Sequence, residues 1–338
     1  MRAFTYAAAE SADAATRLAA RMPAANGVPP TEAAAQYLAG GTTLLDLMKL
    51  DVMRPQTVID ITGLRRENAA ITAGADGVTF GAMVSMAEAA EHPAVLRDYP
   101  VIADTLKLAA SQQLRNMASL GGNVLQRTRC AYFRDTRWDA CNKRNPGSGC
   151  AALDGVNRQH AVFGASEACI ATYPGDFAQA LIALDARVET PSRRIDFAEL
   201  HRRPGSTPNV ETVLRPGELI TSIFVPAGAW TRRSRYLKIR DRQSYQFALT
   251  SAAVALDMNG GSVREARIAL GGVATVPWRS REAEAALRDK VLDEVTATAA
   301  AEAAFAGAQP RKHNAYKVAL GKRTLVRALL ETAQMRVA

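Results

Sequence analysis

The chain has 338 residues, 48% of them hydrophobic, and its 42 Lys and Arg against 33 Asp and Glu leave a formal charge of +9. That length and apolar content provide for two or three compact domains around a sizeable core, and they exclude a small disulfide-stapled scaffold. The basic excess is spread thinly, in short clusters at Arg193-Arg194, Arg202-Arg203 and Arg232–Arg235 with no interleaved aromatics, which is a solvated surface rather than a nucleic-acid interface.

No apolar run reaches the ~20 residues that span a bilayer, so no membrane insertion is expected. Glu10, Asp13 and Arg17 interrupt the Ala-rich start, which excludes a secretory signal within it. The expected location is therefore the cytoplasm, unless the protein leaves the cell attached to a signal-bearing partner.

In chain order, Met1–Tyr6 predicts a strand and Ala7–Met22 an Ala-rich helix. Gln36–Ala39 predicts a short strand that runs into Gly40-Gly41-Thr42-Thr43. Leu44, Leu45, Leu47, Met48 and Leu50 then repeat as on a helix. Strand, glycine turn and helix start in succession expose backbone N–H groups with no Cβ in the way, which suits a phosphate, although an ordinary Gly-Gly turn reads the same. Thr57–Ile61 predicts another strand, Ile71–Phe80 a hairpin turning at Asp76-Gly77, and Gly81–Ala90 and Val101–Ala110 helices.

Ser111–Asn116 reads as a polar run before a second glycine turn, Ser119-Leu120-Gly121-Gly122-Asn123. Gly41 and Gly121 lie 80 residues apart, and two such turns could grip one pyrophosphate. The stretch from there to Asp176 is poor in apolar runs. Asp176 follows the turn Tyr173-Pro174-Gly175 and precedes a helical pattern over Phe177–Leu184. It reads either as an N-cap or as a carboxylate accepting hydrogen bonds from a ribose or ring edge.

Ala186–Thr190 and Arg194–Phe197 predict a hairpin, Leu219–Val225 a strand, and Pro226–Ala229 a linker. Three strands follow at Arg235–Ile239, Ala248–Met258 and Val263–Gly271, and then helices at Arg281–Ala308 and Ala315–Val337.

Cys130, Cys141, Cys150 and Cys169 are all the cysteines of the chain, spaced C-x10-C-x8-C-x18-C. A four-thiolate zinc site usually has tight C-x2–4-C pairs, which are missing. An iron–sulfur cluster tolerates irregular spacing when a long loop wraps it, and Asn142–Gly149 has that loop character. From spacing alone, cluster, zinc, disulfides and free thiols all stay open. His160, the one histidine of this stretch, reads as a hydrogen-bonding residue rather than a ligand. No Ser-His-Asp arrangement or paired carboxylates support hydrolysis.

Ala39-Gly40-Gly41-Thr42-Thr43-Leu44-Leu45 resembles the first FAD pyrophosphate loop of the flavin subunits of the xanthine dehydrogenase family, and Leu120-Gly121-Gly122-Asn123 the second. Leu270–Ala274 followed by Pro277-Trp278-Arg279 resembles the start of the last helical part of that family's C-terminal domain. The four cysteine contexts, with Gln126–Cys130, Cys141–Arg144, Gly147–Cys150 and Glu167–Thr172, resemble the flavin subunit of bacterial periplasmic aldehyde oxidoreductases.

The resemblance implies an α+β fold: a two-part FAD-binding domain of the vanillyl-alcohol-oxidase (PCMH) type at 1–226, divided near 60, and a C-terminal domain at 230–338 with a three-stranded antiparallel sheet and helices. It implies FAD held by Ala39, Gly40, Gly41, Thr42, Thr43, Leu44, Gly121, Gly122, Asn123 and Asp176. It implies a [4Fe–4S] cluster on Cys130, Cys141, Cys150 and Cys169, within an insertion at 124–172. The FAD ring is expected to face the C-terminal domain, with Arg240–Tyr245 as a wall.

The implied partners are a large molybdenum-cofactor subunit that oxidises an aldehyde, a small subunit with two [2Fe–2S] clusters, and an external electron acceptor. The expected location then becomes the periplasm, by co-export with a partner bearing a twin-arginine signal. Where the family usually has His-Pro-Ser-Asp, this chain has Tyr173-Pro174-Gly175-Asp176. The alternatives are a flavin subunit of a related hydroxylase with another substrate, and a zinc-stapled module without flavin.

Overall fold

The computed structural model describes residues 1–22 and 29–337, so 23–28 and 338 of the two expected domains lie outside the described residues. Short strands β1 (Thr5–Ala8), β2 (Ala35–Leu38) and β3 (Thr57–Asp60) form a parallel sheet in the order β1-β3-β2. Val58 and Ile59 of the central strand are fully enclosed on both faces, as a parallel sheet covered by helices requires. A second sheet, in the order β4-β5-β8-β6-β7, is antiparallel. It is built from β4 (Ile71–Gly74), β5 (Gly77–Gly81), β6 (Arg187–Glu189), β7 (Arg194–Asp196) and β8 (Ser222–Pro226).

The C-terminal sheet has four strands rather than the expected three: β9 (Ser234–Ile239), β10 (Thr250–Asn259), β11 (Ser262–Gly271) and β12 (Trp278–Arg279), in the order β12-β11-β10-β9. The extra strand pairs Trp278 and Arg279 with Leu270 and Ala269. It is two residues long, too short for any alternation to show. Arg279 fixes it by donating to Ile182 O at 2.9 Å and pairing with Asp185 at 2.8 Å.

β10 reads as a nearly unbroken apolar run because both of its faces are buried. Val254 and Leu256 face the helices Arg281–Leu287, Glu294–Phe305 and Tyr316–Ala333. Ala253 and Ala255 face the N-terminal half, where their small side chains admit the helix Phe177–Ala183.

Two helical expectations change. Arg281–Ala308 is two helices, because residues 289–292 run beside the β10–β11 hairpin, with Asp289 at φ 59° and Leu292 N donating to Gly261 O at 3.0 Å. The polar run at Ser111 is a helix, Gln112–Met117, capped by the Ser111 hydroxyl. Among the described residues no helix is long and apolar enough to cross a membrane.

Candidate functional site

Between the sheets lies one cavity of about 870 Å³. All ten residues expected to hold a cofactor line it: Ala39 to Leu44, Gly121 to Asn123, and Asp176.

The two glycine turns meet there in physical contact. A Cβ on Gly40 would sit 1.7 Å from Met117 O, so only glycine lets the first turn lie against the chain entering the second. Gly41 holds φ 74°, which turns the chain from β2 into the helix Leu44–Lys49. None of the N–H groups of Gly40–Thr43 donates to a protein acceptor among the described residues.

The second turn differs. Gly121 N donates to Ala82 O at 2.9 Å, Gly122 N to Ser119 Oγ at 3.2 Å and Asn123 N to Ser119 O at 2.8 Å. Its amides are thus engaged inside the protein, and what it turns to the cavity is bare glycine backbone and the Asn123 side chain. Asn123 Oδ1 is buried without a partner.

Asp176 sits at the start of the helix Phe177–Ala183 but makes no side-chain cap bond. Instead Tyr236 donates its hydroxyl to Oδ1 at 2.6 Å and Lys238 Nζ donates to Oδ2 at 2.7 Å, with both charged side chains almost wholly buried. Burial, and then the Asp176 charge, push the Tyr236 hydroxyl well above the usual tyrosine range.

Sequence reasoning missed both partners, 60 residues downstream. The available signal was the alternation Ser234-x-Tyr236-x-Lys238, which puts three polar side chains on one inward face of β9. Arg242, Tyr245 and Phe247, from the loop between β9 and β10, complete this end of the cavity.

The departure at Tyr173-Pro174-Gly175-Asp176 has a steric basis. A Cβ on Gly175 would meet the Tyr173 ring at 2.6 Å. The larger ring therefore requires the smaller neighbour. The Tyr173 hydroxyl donates to Val124 O at 2.9 Å, as does His201 Nε2 at 2.9 Å, so both hold the end of the second turn. Burial pushes His201 down to about 4 and keeps it neutral.

The four cysteines converge on a second, enclosed void of about 10 Å³, roughly the room of one water. Cys141 and Cys150 pair as a β-bridge around the turn at Gly147 and Gly149, both with positive φ. Burial pushes the Cys130 thiol up to about 12 and that of Cys169 up to about 11.

Among the described residues no three metal-binding side chains are drawn together as they would be around a single ion. A four-iron cube instead takes one thiolate at each corner iron, so its ligands stand apart around a volume. The four thiols match such a cluster in number and chemistry, while the void as it stands is smaller than the cube. Lys143, Cys169 and Ala171 line both cavities and form the wall between them.

The insertion is also bonded to the C-terminal half. Val162 and Phe163 donate to Val273 O, and Gln309 N donates to Val162 O. Asn314 Nδ2 reaches His160 O and Ala161 O, and the fully buried Lys317 ammonium donates to Gln159 O and Gly272 O.

The model of the FAD binding domain in molybdopterin dehydrogenase matches residues 2–228, and that of the CO dehydrogenase flavoprotein C-terminal domain matches residues 235–332. The chain is 45% identical over 336 residues to the aldehyde oxidoreductase FAD-binding subunit PaoB of Escherichia coli (strain K12), covering 98% of each. It is 27% identical over 305 residues to the carbon monoxide dehydrogenase medium chain of Hydrogenophaga pseudoflava, covering 87% of this chain and 88% of the other. The solved carbon monoxide dehydrogenase from that organism superposes with a TM-score of 0.74 at 27% identity, over 100% of this chain and 99% of the other.

Proposed function

Because this chain belongs to the family of FAD-binding subunits of molybdopterin dehydrogenases, we propose that it is the flavin subunit of an aldehyde-oxidising complex. In this reading a large molybdenum-cofactor subunit oxidises the aldehyde. A small subunit with two [2Fe–2S] clusters passes the electrons to FAD in this chain, and an external acceptor removes them. The observation that carries the reading is that one cavity is lined both by Gly40–Thr43, whose four backbone N–H groups are unengaged among the described residues, and by the buried Asp176–Lys238 pair.

Bound FAD supplies the redox chemistry; the protein supplies position and charge. Gly40–Thr43 present their N–H groups to the pyrophosphate. Gly121 and Gly122 let the cofactor approach the backbone closely, and Asn123 Oδ1 accepts from a hydroxyl. Asp176, held on both oxygens by Tyr236 and Lys238, would accept hydrogen bonds from the bound cofactor through its remaining lone pairs. Arg242, Tyr245 and Phe247, which line the cavity, would shield the bound cofactor from solvent.

The reading includes a [4Fe–4S] cluster on Cys130, Cys141, Cys150 and Cys169, which makes zinc the rejected alternative. An absorption spectrum of the purified complex tests both cofactors. Flavin bands over a broad shoulder that bleaches on reduction are expected, together with iron and sulfide on analysis; zinc without sulfide would reject the cluster. The belt of bonds from the insertion to residues 309–317 favours a stapling role for the cluster, while the shared wall at Cys169 leaves it next to the flavin cavity. Cys141→Ser decides between the roles. Impaired assembly with normal flavin reduction in the surviving complex supports stapling; normal assembly with slow reoxidation supports a relay.

The reading extends to the periplasm, reached folded with a small subunit that carries the export signal. Cell fractionation with and without that signal tests it: a chain found in the periplasm in both cases would exclude co-export.

A further inference from the structure

We propose that His160 donates its Nε2–H to the sulfur of Cys130 and so sets the reduction potential of the iron–sulfur cluster. The inference rests on the cluster reading above and assigns a role to a side chain that the four-cysteine pattern leaves out. His160 Nε2 lies 3.2 Å from Cys130 Sγ. The ring is buried, and no hydrogen bond is formed at its other nitrogen, Nδ1, among the described residues. The sulfur lies within hydrogen-bond distance of Nε2, and the Asn157 carbonyl also acts on the ring.

The backbone fixes that aim. His160 N donates to Asn157 O at 3.0 Å, closing a turn, and His160 O accepts from Asn314 Nδ2 at 3.2 Å. Asn157 is itself fully buried, donating to Ala152 O and Leu153 O and accepting from His313 N. Tyr132 closes one side of the ring, with centroids 6.1 Å apart. The imidazole is thus held by two elements far apart in sequence and pointed at one thiol.

A metal-bound thiolate has no proton to give, so the contact then runs in one direction, from N–H to sulfur. When the cluster takes up one electron its charge falls by one unit, with no bond made or broken and no proton moved. A fixed donor on a ligating sulfur stabilises the more negative state more than the less negative one, and so raises the potential. His160 acts through Cys130 and is a positioning residue rather than a ligand.

The test uses the assembled complex with His160→Leu, which removes the donor, and His160→Gln, which keeps an N–H of similar reach. Iron and sulfide are measured per chain, and the cluster potential is followed by redox titration with paramagnetic resonance. Expected are a full complement of iron and sulfide in all three proteins, a lower potential in H160L, and recovery of most of the shift in H160Q. An unchanged potential in H160L would reduce His160 to packing and overturn the inference. Loss of iron or a changed cluster type in H160L, with H160Q intact in neither respect, would make it a ligand and overturn it as well. If H160L does not assemble, His160→Asn, whose shorter side chain withdraws the donor, takes its place under the same criteria. A wild-type complex without iron and sulfide would instead fail the cluster reading itself.

Discussion

Lys238 Nζ lies 2.7 Å from Asp176 Oδ2, and this buried pair ties the C-terminal sheet to the turn beside the large cavity. Two charges out of water are stable only while each keeps the other and its remaining hydrogen bonds, here from Tyr236 to Asp176 and from Lys238 to Leu108 O. Lys238→Met leaves Asp176 as an uncompensated buried carboxylate and is expected to lower stability by about 3–5 kcal/mol in denaturant melts. Asp176→Asn with Lys238→Met should lose clearly less than the sum of the two single changes. Additive losses would mean that the pair is not coupled.

The contact between the glycine turns gives a second prediction. Gly40→Ala places a methyl group on Met117 O and forces the turns apart. It should cost at least ~1–3 kcal/mol, as overpacking does, and release FAD from the purified complex. Gly74→Ala is the control, since nothing lies within 4 Å of its Cβ position. The ratio of flavin absorbance to protein reads both variants.

The Tyr173–Gly175 fit predicts a specific rescue. Gly175→Ser drives a Cβ into the Tyr173 ring and should destabilise by ~1–3 kcal/mol. Tyr173→His together with Gly175→Ser, which restores the arrangement common in the family, should recover most of that loss in thermal melts. A double variant no better than Gly175→Ser alone would show that the ring is not the obstacle.

His201 predicts a pH dependence. In the fold it is held near 4, against 6.5 when free, by burial. The unfolded chain therefore takes up the proton first. This contribution to stability is complete above about 6.5 and is lost as the pH falls from there towards about 4. Denaturant melts across that window should slope more steeply for the wild type than for His201→Gln, which keeps a donor for Val124 O but does not titrate. Parallel slopes would assign the acid sensitivity to other groups.

Much of the fold was legible because its signals are local. The turn at Gly40-Gly41 and the apolar repeat from Leu44 announce β2 and the helix after it, and Asn259-Gly260-Gly261 announces the β10–β11 hairpin. The errors fall where a distant contact overrides the local pattern. β12 exists because Arg279 is anchored on Ile182 and Asp185, and the helix expected over Arg281–Ala308 breaks where residues 289–292 follow the hairpin. The helix Gln112–Met117 was hidden by its polar composition.

By itself, the amino-acid sequence determined which groups could meet a cofactor: two glycine turns, four cysteines in one loop-rich stretch, and a carboxylate after a Pro-Gly turn. These are properties of residue type and short spacing, and they survive without knowledge of the rest of the chain. Tertiary structure decided what those groups do. It left the amides of Gly40–Thr43 unengaged while engaging those of Gly121–Asn123, gave Asp176 to Lys238 and Tyr236 instead of to its own helix, and aimed His160 at Cys130. Hydrogen-bond partners are chosen by burial and proximity between segments 30 to 60 residues or more apart, and no local pattern encodes that choice.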